Sequence, residues 1–348
     1  MKYNCPENIV KLAPYVPITH HPEVRMDANE GCFPIDKGVL EKFREELGGF
    51  DFNRYPDPSG TEVCKNFADF YGVDPKHVAL GNGSDELLSI IIGNMVGEDQ
   101  KLLIFTPDFS MYQFYADLNN VEFILVDKPQ KVEEFTATFI KDEIAKHNPS
   151  VVLFSNPCNP TSYEISVDEV KEVLNSTEAL VVLDEAYMDF GTETFLPYYR
   201  DFDNLIILKT ASKGIGFANA RLGFFVSNDY FVDIVKKIKS PYNVNGITQL
   251  LGKIIFEDKA SLQSRIDLII SERDKMYNRL SPYFQISKPS GNFMLAKVEN
   301  GVEIKEGLLE KGISIKAFPG GVLRITVGTP EENERFIEAL IDLKIIEG

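Results

Sequence analysis

At 348 residues the chain can bury roughly three quarters of the surface its unfolded form exposes, which suits two domains or a large domain with a smaller partner. Hydrophobic residues make up 44% and charged residues 26%, the balance of a soluble globular protein. A net charge of −17 argues against a nucleic-acid partner, which is bound through clustered Lys and Arg, so an anionic ligand must be gripped by local donors.

The opening segment MKYNCPENIVKLAPY lacks the apolar core of a secretory signal, and no apolar run reaches the ~18 residues of a membrane span. Cys5, Cys32, Cys64 and Cys158 have no CxxC spacing and read as free thiols of a reducing cytoplasm. His20 and His21, without HExxH or carboxylate spacing, read as loop residues rather than metal ligands. HVALGNG then runs into a predicted helix, SDELLSIIIGNMV (84–96). From there strand and helix signals alternate. KLLIFTP (101–107), VEFILVD (121–127), PSVVLFSNP (149–157), ALVVLDEAY (179–187), NLIILKT (204–210) and RLGFFVS (221–227) are short and apolar on both faces, the pattern of a buried, mostly parallel sheet. Between them SVDEVKEVL (166–174) opens with Ser166 and Glu169 at capping-box spacing. The alternation predicts an α/β fold with helices on both sheet faces. Past SPYNVNG (240–246) comes a mixed helical stretch over about 247–280. The strands FMLAKV (293–298), ISIKAF (313–318) and VLRITVG (322–328) follow, then a closing helix EENERFIEALIDL (331–343). This tail predicts a small α+β domain. The expected division is an N-terminal arm over 1–32, a large domain over 33–245 and a small domain over 246–348.

Four polar clusters fall at the same end of these strands. Asp184 follows ALVVL, Lys213 lies just past LIIL, Asn159 just past VVLF, and Ser84 with Asp85 just past HVALGNG. An acid at the end of an apolar strand costs free energy unless it is partnered, and ligands of open α/β sheets gather beyond the carboxyl ends of the strands. A lysine in a partly dry pocket can condense with an aldehyde. A pyridoxal cofactor needs such a lysine, an acid for its pyridinium nitrogen, and a phosphate cup. Asp184 suits the acid, the glycine-flanked helix start GNGSDE offers free backbone N–H groups, and Arg221 adds a charge-assisted clamp. The Asp85 carboxylate is poorly suited to face a phosphate, so the contacts there fall to backbone groups and Ser84. GxGxxG and GxxxxGK[ST] loops are both missing from the sequence.

Taken in order, LAPY (12–15), DANE (27–30), RYPDP (54–58), GSDELL (83–88), NPCNPT (156–161), DEAYMDF (184–190), LKTASK (208–213), ANARLGFF (218–225), PYNVN (241–245) and LRITVGTPEEN (323–333) span nearly the whole chain. With these motifs the chain resembles the fold-type-I pyridoxal-phosphate aminotransferases, and most closely the histidinol-phosphate aminotransferase family. The resemblance implies a large domain with a mostly parallel mixed sheet sandwiched by helices, a small α+β C-terminal domain, and pyridoxal 5′-phosphate as cofactor. It implies that Lys213 is the covalent anchor and proton carrier, that Asp184 pairs with the ring nitrogen, and that Asn159 and Tyr187 hold the ring hydroxyl. Phe109 stacks on the ring. Ser84, Asp85, Thr210, Ser212 and Arg221 surround the phosphate, with Tyr55 reaching it across a homodimer interface. Arg324 and Lys316 receive the anionic end of the substrate, with Tyr15, Asn29, Tyr55 and Asn159 lining the same pocket. Each also has a plain structural reading: Lys213 on the surface, Asp184 as a helix cap, Arg324 in an ion pair within its sheet, and Tyr55 and Phe109 as packing.

The sequence departs from the family pattern at Ser162, where glycine is usual, at Cys158, where asparagine is common, in the segment GIGFANAR, and at Lys316, where a second arginine is common. The implied reaction is transamination between glutamate/2-oxoglutarate and a phosphorylated ketone or amine, with imidazole-acetol phosphate as lead acceptor. The alternatives are another ketone phosphate or aromatic keto acid as acceptor, or decarboxylation of a phosphorylated amino acid on the same scaffold.

Overall fold

A computed structural model describes residues 3–14 and 22–347, so Tyr15, His20 and His21 lie outside the described residues. Twelve strands form among the described residues. They are β1 (Val24–Met26), β2 (Val78–Asn82), β3 (Leu102–Thr106), β4 (Phe123–Asp127), β5 (Val151–Ser155), β6 (Leu180–Asp184), β7 (Leu205–Thr210), β8 (Leu222–Ser227), β9 (Gln285–Ile286), β10 (Phe293–Lys297), β11 (Ile313–Phe318) and β12 (Val322–Thr326). All six strand runs read from the middle of the sequence are present.

The large sheet has seven strands in the order β2-β8-β7-β6-β5-β3-β4. β7, β6, β5, β3 and β4 are mutually parallel, whereas β8 is antiparallel to both β7 and β2. β2 therefore runs in the common direction. The reversal of β8 matters for the site: its first residues lie where the other strands end, and Gly223 pairs with Thr210 and Leu222 with Asn82. The sheet is buried on both faces. Leu103, Phe154, Leu183, Ile207 and Phe224 face one core, and Ile104, Leu153, Val182, Leu208 and Phe225 face the other. Alternate residues of one strand thus feed two cores, which is why these segments read as unbroken apolar runs.

The helix Val167–Asn175 begins at Ser166 with both capping-box bonds formed. The helix Gly83–Met95 begins directly after β2 without a side-chain cap, which leaves first-turn N–H groups open toward the sheet end.

A second sheet of five strands, ordered β1-β11-β12-β10-β9, carries its own core with the helices Lys259–Leu280 and Pro330–Asp342. β1 comes from the segment expected to form the arm; it pairs in parallel with β11, Arg25 opposite Ser314. The helix Gly246–Glu257 follows the expected boundary, yet it places Ile254, Ile255 and Phe256 in the core of the large sheet. The small unit's core begins with the next helix, because Ile266, Ile269 and Met276 are its first helical contributions after residue 246.

Candidate active site

A cavity of about 630 Å³ opens between the two units, at the end of the large sheet where the parallel strands finish. Its walls include Ser84, Asp85, Phe109, Asn159, Asp184, Tyr187, Thr210, Ser212, Lys213, Arg221, Lys316 and Arg324. Residues from widely separated segments meet here because parallel strands share a direction.

Asp184 is the last residue of β6 and is 3% exposed. It accepts a hydrogen bond from the Tyr112 hydroxyl at 2.7 Å and one from the Ala186 N–H at 3.1 Å. Burial pushes its carboxyl up to about 7; the two hydrogen bonds oppose that rise, and the nearby Asp108 and Asp85 add to it. A carboxyl in this setting is stabilised as an anion by a cation at its open side, a charge that a protonated ring nitrogen would supply. It is not a helix cap.

Behind the cavity floor, Gly83 and Gly223 form a cradle that side chains would fill. A Cβ on Gly223 would stand 2.3 Å from the Gly83 carbonyl carbon and 2.4 Å from the Ser84 nitrogen. One on Gly83, which has φ +77°, would stand 2.4 Å from an Arg221 terminal nitrogen. Arg221 has φ 51°, and its guanidinium donates to Ser212 Oγ at 3.4 Å, the Ala218 carbonyl at 3.2 Å and Asp85 at 3.1 Å. Asp85 is therefore the partner that orients Arg221. Thr210 Oγ1 accepts from the Ser212 N–H at 3.2 Å, which fixes the turn leading to Lys213. Open helix N–H groups, two hydroxyls and a guanidinium make an anion cup, and with Asp184 and Lys213 this donor set fits pyridoxal phosphate.

Lys213 is half-buried, three residues past the end of β7, and Nζ donates to the carbonyls of Asn29 at 3.1 Å and Ala28 at 3.3 Å. It lies 5.6 Å from the centre of the Tyr187 ring. The arm residue Asn29, with φ 53°, donates from Nδ2 to the Tyr187 hydroxyl at 3.1 Å, and Thr326 donates to its Oδ1 at 2.9 Å. Asn29 thus ties the small sheet to the Lys213 turn. The arm comes close because Gly31 meets Gly216 backbone to backbone; a Cβ on Gly31 would be 2.7 Å from the Gly216 Cα. That contact accounts for the first part of the divergent GIGFAN segment. Ser162, at the position where glycine is usual, has φ 59°, and its hydroxyl accepts from the Gly291 N–H at 2.7 Å. That hydrogen bond offsets part of the conformational cost.

Asn159 donates to the Tyr187 hydroxyl at 3.5 Å and accepts from Arg324 at 2.8 Å. Arg324 also donates to the Asp27 carbonyl at 2.7 Å and lies 5.6 Å from the Phe293 ring centre. Its guanidinium thus reaches into the cavity beside the proposed ring partners. Lys316 is exposed at the rim, directly opposite Arg324 in the sheet. Phe109 lines the cavity and packs edge-on against Tyr112, with centroids 5.7 Å apart. Tyr55 does not reach this cavity. It is 80% exposed and stacks on Tyr242 at 4.4 Å, in a separate groove with Phe50, Phe52 and Ile247. Lys209, by contrast, is buried in β7 and pairs with Asp189 at 2.8 Å beneath the Tyr71 ring, a structural role.

Sequence reasoning missed several residues. Tyr112 lies in the first turn of the helix Met111–Leu118, its N–H donating to the Phe109 carbonyl at 3.1 Å, and this turn sets the two rings edge to face. Lys128 ends next to β4 and donates to Asp108 at 2.8 Å and to Cys158 Sγ at 3.0 Å, with both charges almost fully buried. Burial alone would lower the Lys128 ammonium, but Asp108 and Cys158 outweigh it and hold it above its ordinary value. Asp108 also accepts from the Ser155 hydroxyl and from the Phe109 N–H at 2.8 Å. The departure at Cys158 therefore lies in a buried polar cluster under the cavity wall. Nothing local in the sequence marks Lys128.

A family model described as aminotransferase class I and II matches residues 22–340. The chain is 34% identical over 340 residues to the histidinol-phosphate aminotransferase of Clostridium novyi (strain NT), covering 96% of this chain and 95% of that protein. Among solved structures, the histidinol-phosphate aminotransferase from Clostridium acetobutylicum superposes with a TM-score of 0.82 at 20% identity, covering 92% of this chain and 99% of that one. The histidinol-phosphate aminotransferase from Sinorhizobium meliloti in complex with pyridoxal-5′-phosphate gives 0.80 at 21% identity, covering 97% of each chain. At these identities the two structures establish the fold.

Proposed function

The chain belongs to aminotransferase class I and II, and on that premise we propose that it moves an amino group between glutamate and a small phosphorylated ketone, with imidazole-acetol phosphate and histidinol phosphate as the physiological pair. It is a pyridoxal-phosphate-dependent aminotransferase. The observation that carries the substrate assignment is the near full-length match to relatives bearing the histidinol-phosphate aminotransferase name, joined to one cavity lined by Arg324 and Lys316 together with Lys213 and Asp184.

When bound, pyridoxal phosphate supplies an electron sink for bond breaking at the amino carbon. The chain's residues supply the rest. Ser84, Ser212, Arg221 and the first-turn N–H groups of Gly83–Met95 grip the phosphate and orient the ring. Asp184 holds a proton on the ring nitrogen, since a buried carboxylate favours a cation beside it. Asn159 and Tyr187 hold the ring hydroxyl, and Asn29 braces Tyr187. Lys213 would anchor the cofactor, and its amine, once free, would carry the proton from the substrate's amino carbon to the cofactor carbon that bears the nitrogen. Arg324 exchanges its contacts with Asn159 and the Asp27 carbonyl for the substrate anion; its planar fork suits a carboxylate and a phosphate equally.

The reading extends to a cytoplasmic homodimer. The exposed aromatic groove around Tyr55 and Tyr242 supports it, because Tyr55 does not line its own cavity and stands exposed, available to a partner subunit's site. A panel of acceptors tests the substrate, with glutamate as donor and 2-oxoglutarate release as readout. Imidazole-acetol phosphate is expected to give the highest kcat/KM. Turnover of another ketone phosphate with none of imidazole-acetol phosphate overturns the substrate assignment while leaving family membership intact.

A further inference from the structure

We propose that Arg25 is a specificity residue for the phosphate end of the substrate, completing a row of cations across three adjacent strands; this deepens the aminotransferase reading and rests on it. β1, β11 and β12 are neighbours in the small sheet. Arg25 pairs with Ser314, Ser314 and Lys316 lie two residues apart on β11, and Lys316 pairs with Arg324. Paired and alternate residues share a sheet face, so the register puts Arg25, Lys316 and Arg324 on one face. The opposite face confirms the assignment: Val24, Met26, Ile313, Ile315, Leu323 and Ile325 all enter the small unit's core. All three cations line the cavity.

Neighbouring strands are about 5 Å apart and Arg25 is offset from Lys316 by two residues, about 7 Å, so the row runs diagonally over about 12 Å of cavity wall. Two of the three have contacts that a ligand can exchange. Arg324 holds Asn159 and a backbone carbonyl. Arg25 stands 3.4 Å from Glu30 and 3.9 Å from Asp27, and its side chain and that of Glu30 are 52% and 45% exposed. The long, exposed pair with Glu30 contributes little, so the Arg25 terminal nitrogens can turn from Glu30 to a dianion at small cost while Nε stays beside the buried Asp27. Lys316 supplies a point charge where a fork is usual, and Arg25 supplies a planar fork one strand away. A glutamate carboxylate carries one negative charge and two acceptor oxygens, a load that Arg324 satisfies alone. A phosphate monoester carries nearly two charges, and a fork on two of its oxygens leaves a third, charged oxygen for Arg25. Arg25 therefore discriminates by the charge of the ligand's far end, and Glu30 tempers it.

The test uses the holoenzyme and inorganic phosphate as a competitor of the glutamate half-reaction, followed by the loss of the cofactor's visible absorption. Arg25→Gln is expected to weaken phosphate inhibition about tenfold, at least three times more than it raises KM for glutamate. Arg25→Lys restores part of the loss, and Glu30→Gln tightens phosphate binding. Equal weakening for phosphate and glutamate, or weaker phosphate binding in both Arg25→Gln and Glu30→Gln, shows that the pair merely braces β1 and overturns the proposal. No change in Arg25→Gln overturns it also. Histidinol phosphate is assayed in parallel: if it is not turned over while phosphate inhibition still falls in Arg25→Gln, the substrate reading fails and the Arg25 role stands.

Discussion

Replacing Asp184 with asparagine should stabilise the cofactor-free protein at alkaline pH and weaken it slightly in acid. Folding raises this carboxyl from 3.8 to about 7, chiefly through burial. A group whose folded value lies above its unfolded one takes up a proton more readily when folded. Its cost to stability is absent below the unfolded value, grows between about pH 4 and pH 7, and is complete above. A difference of about three pH units corresponds to about 4 kcal/mol. The substituted asparagine carries no such cost. It can still accept from Tyr112, but its amide cannot also accept from the Ala186 N–H, a loss of about 1 kcal/mol. The net expectation for Asp184→Asn is a gain of about 3 kcal/mol at pH 8 and a loss of about 0.5 kcal/mol at pH 4, with a crossing at about pH 4.5. Urea unfolding of both cofactor-free proteins across that range measures it. Pyridoxal phosphate should narrow the gap at pH 8, because the ring nitrogen partners the wild-type carboxylate and not the amide. Parallel stability–pH curves for the two proteins would refute the claim that Asp184 is a buried, cation-seeking acid.

Tyr112→Phe removes the hydroxyl donated to Asp184 and should push its carboxyl higher still, lowering pyridoxal phosphate affinity about tenfold in a fluorescence titration, with the deficit larger at pH 7 than at pH 9. Gly223→Ala places a Cβ 2.3 Å from the Gly83 carbonyl carbon, so the cradle must shift; urea unfolding should show a loss of about 2 kcal/mol and cofactor titration a weaker phosphate grip. Lys128→Met strands the Asp108 carboxylate, whose side chain is 1% exposed, and should cost about 3–5 kcal/mol. The double variant Lys128→Met/Asp108→Asn should recover much of that loss, as read by denaturant midpoints.

Local pattern carried the large sheet well. Runs such as LIIL and VVLF are apolar on both faces, so they announce buried strands, and the polar residue just beyond each one falls at a common end once the strands are parallel. Asp184, Lys213 and Asn159 were legible for that reason, and the Ser166 capping box because its two partners are three residues apart. The arm was less legible. The segment holding Val24–Met26 is too short to show a strand period, and its membership of the small sheet depends on β11, nearly 290 residues away. Lys316 stood out as a departure from a family pattern, yet its relation to Arg25 appears only in the register.

By itself, then, the sequence determined which residues could do chemistry, because end-of-strand position, helix capping and residue type are properties of a few neighbours. The tertiary structure decided which of them act together. It turned β8 around so that Arg221 returns to the end where Lys213 waits, set Tyr112 against Asp184, buried Lys128 with Asp108, and lined three cations along one wall. The Lys128–Asp108 and Tyr112–Asp184 contacts join positions 20 and 72 residues apart, and their geometry, like that of the cation row, follows from strand register and packing between segments, which no local window of the chain contains.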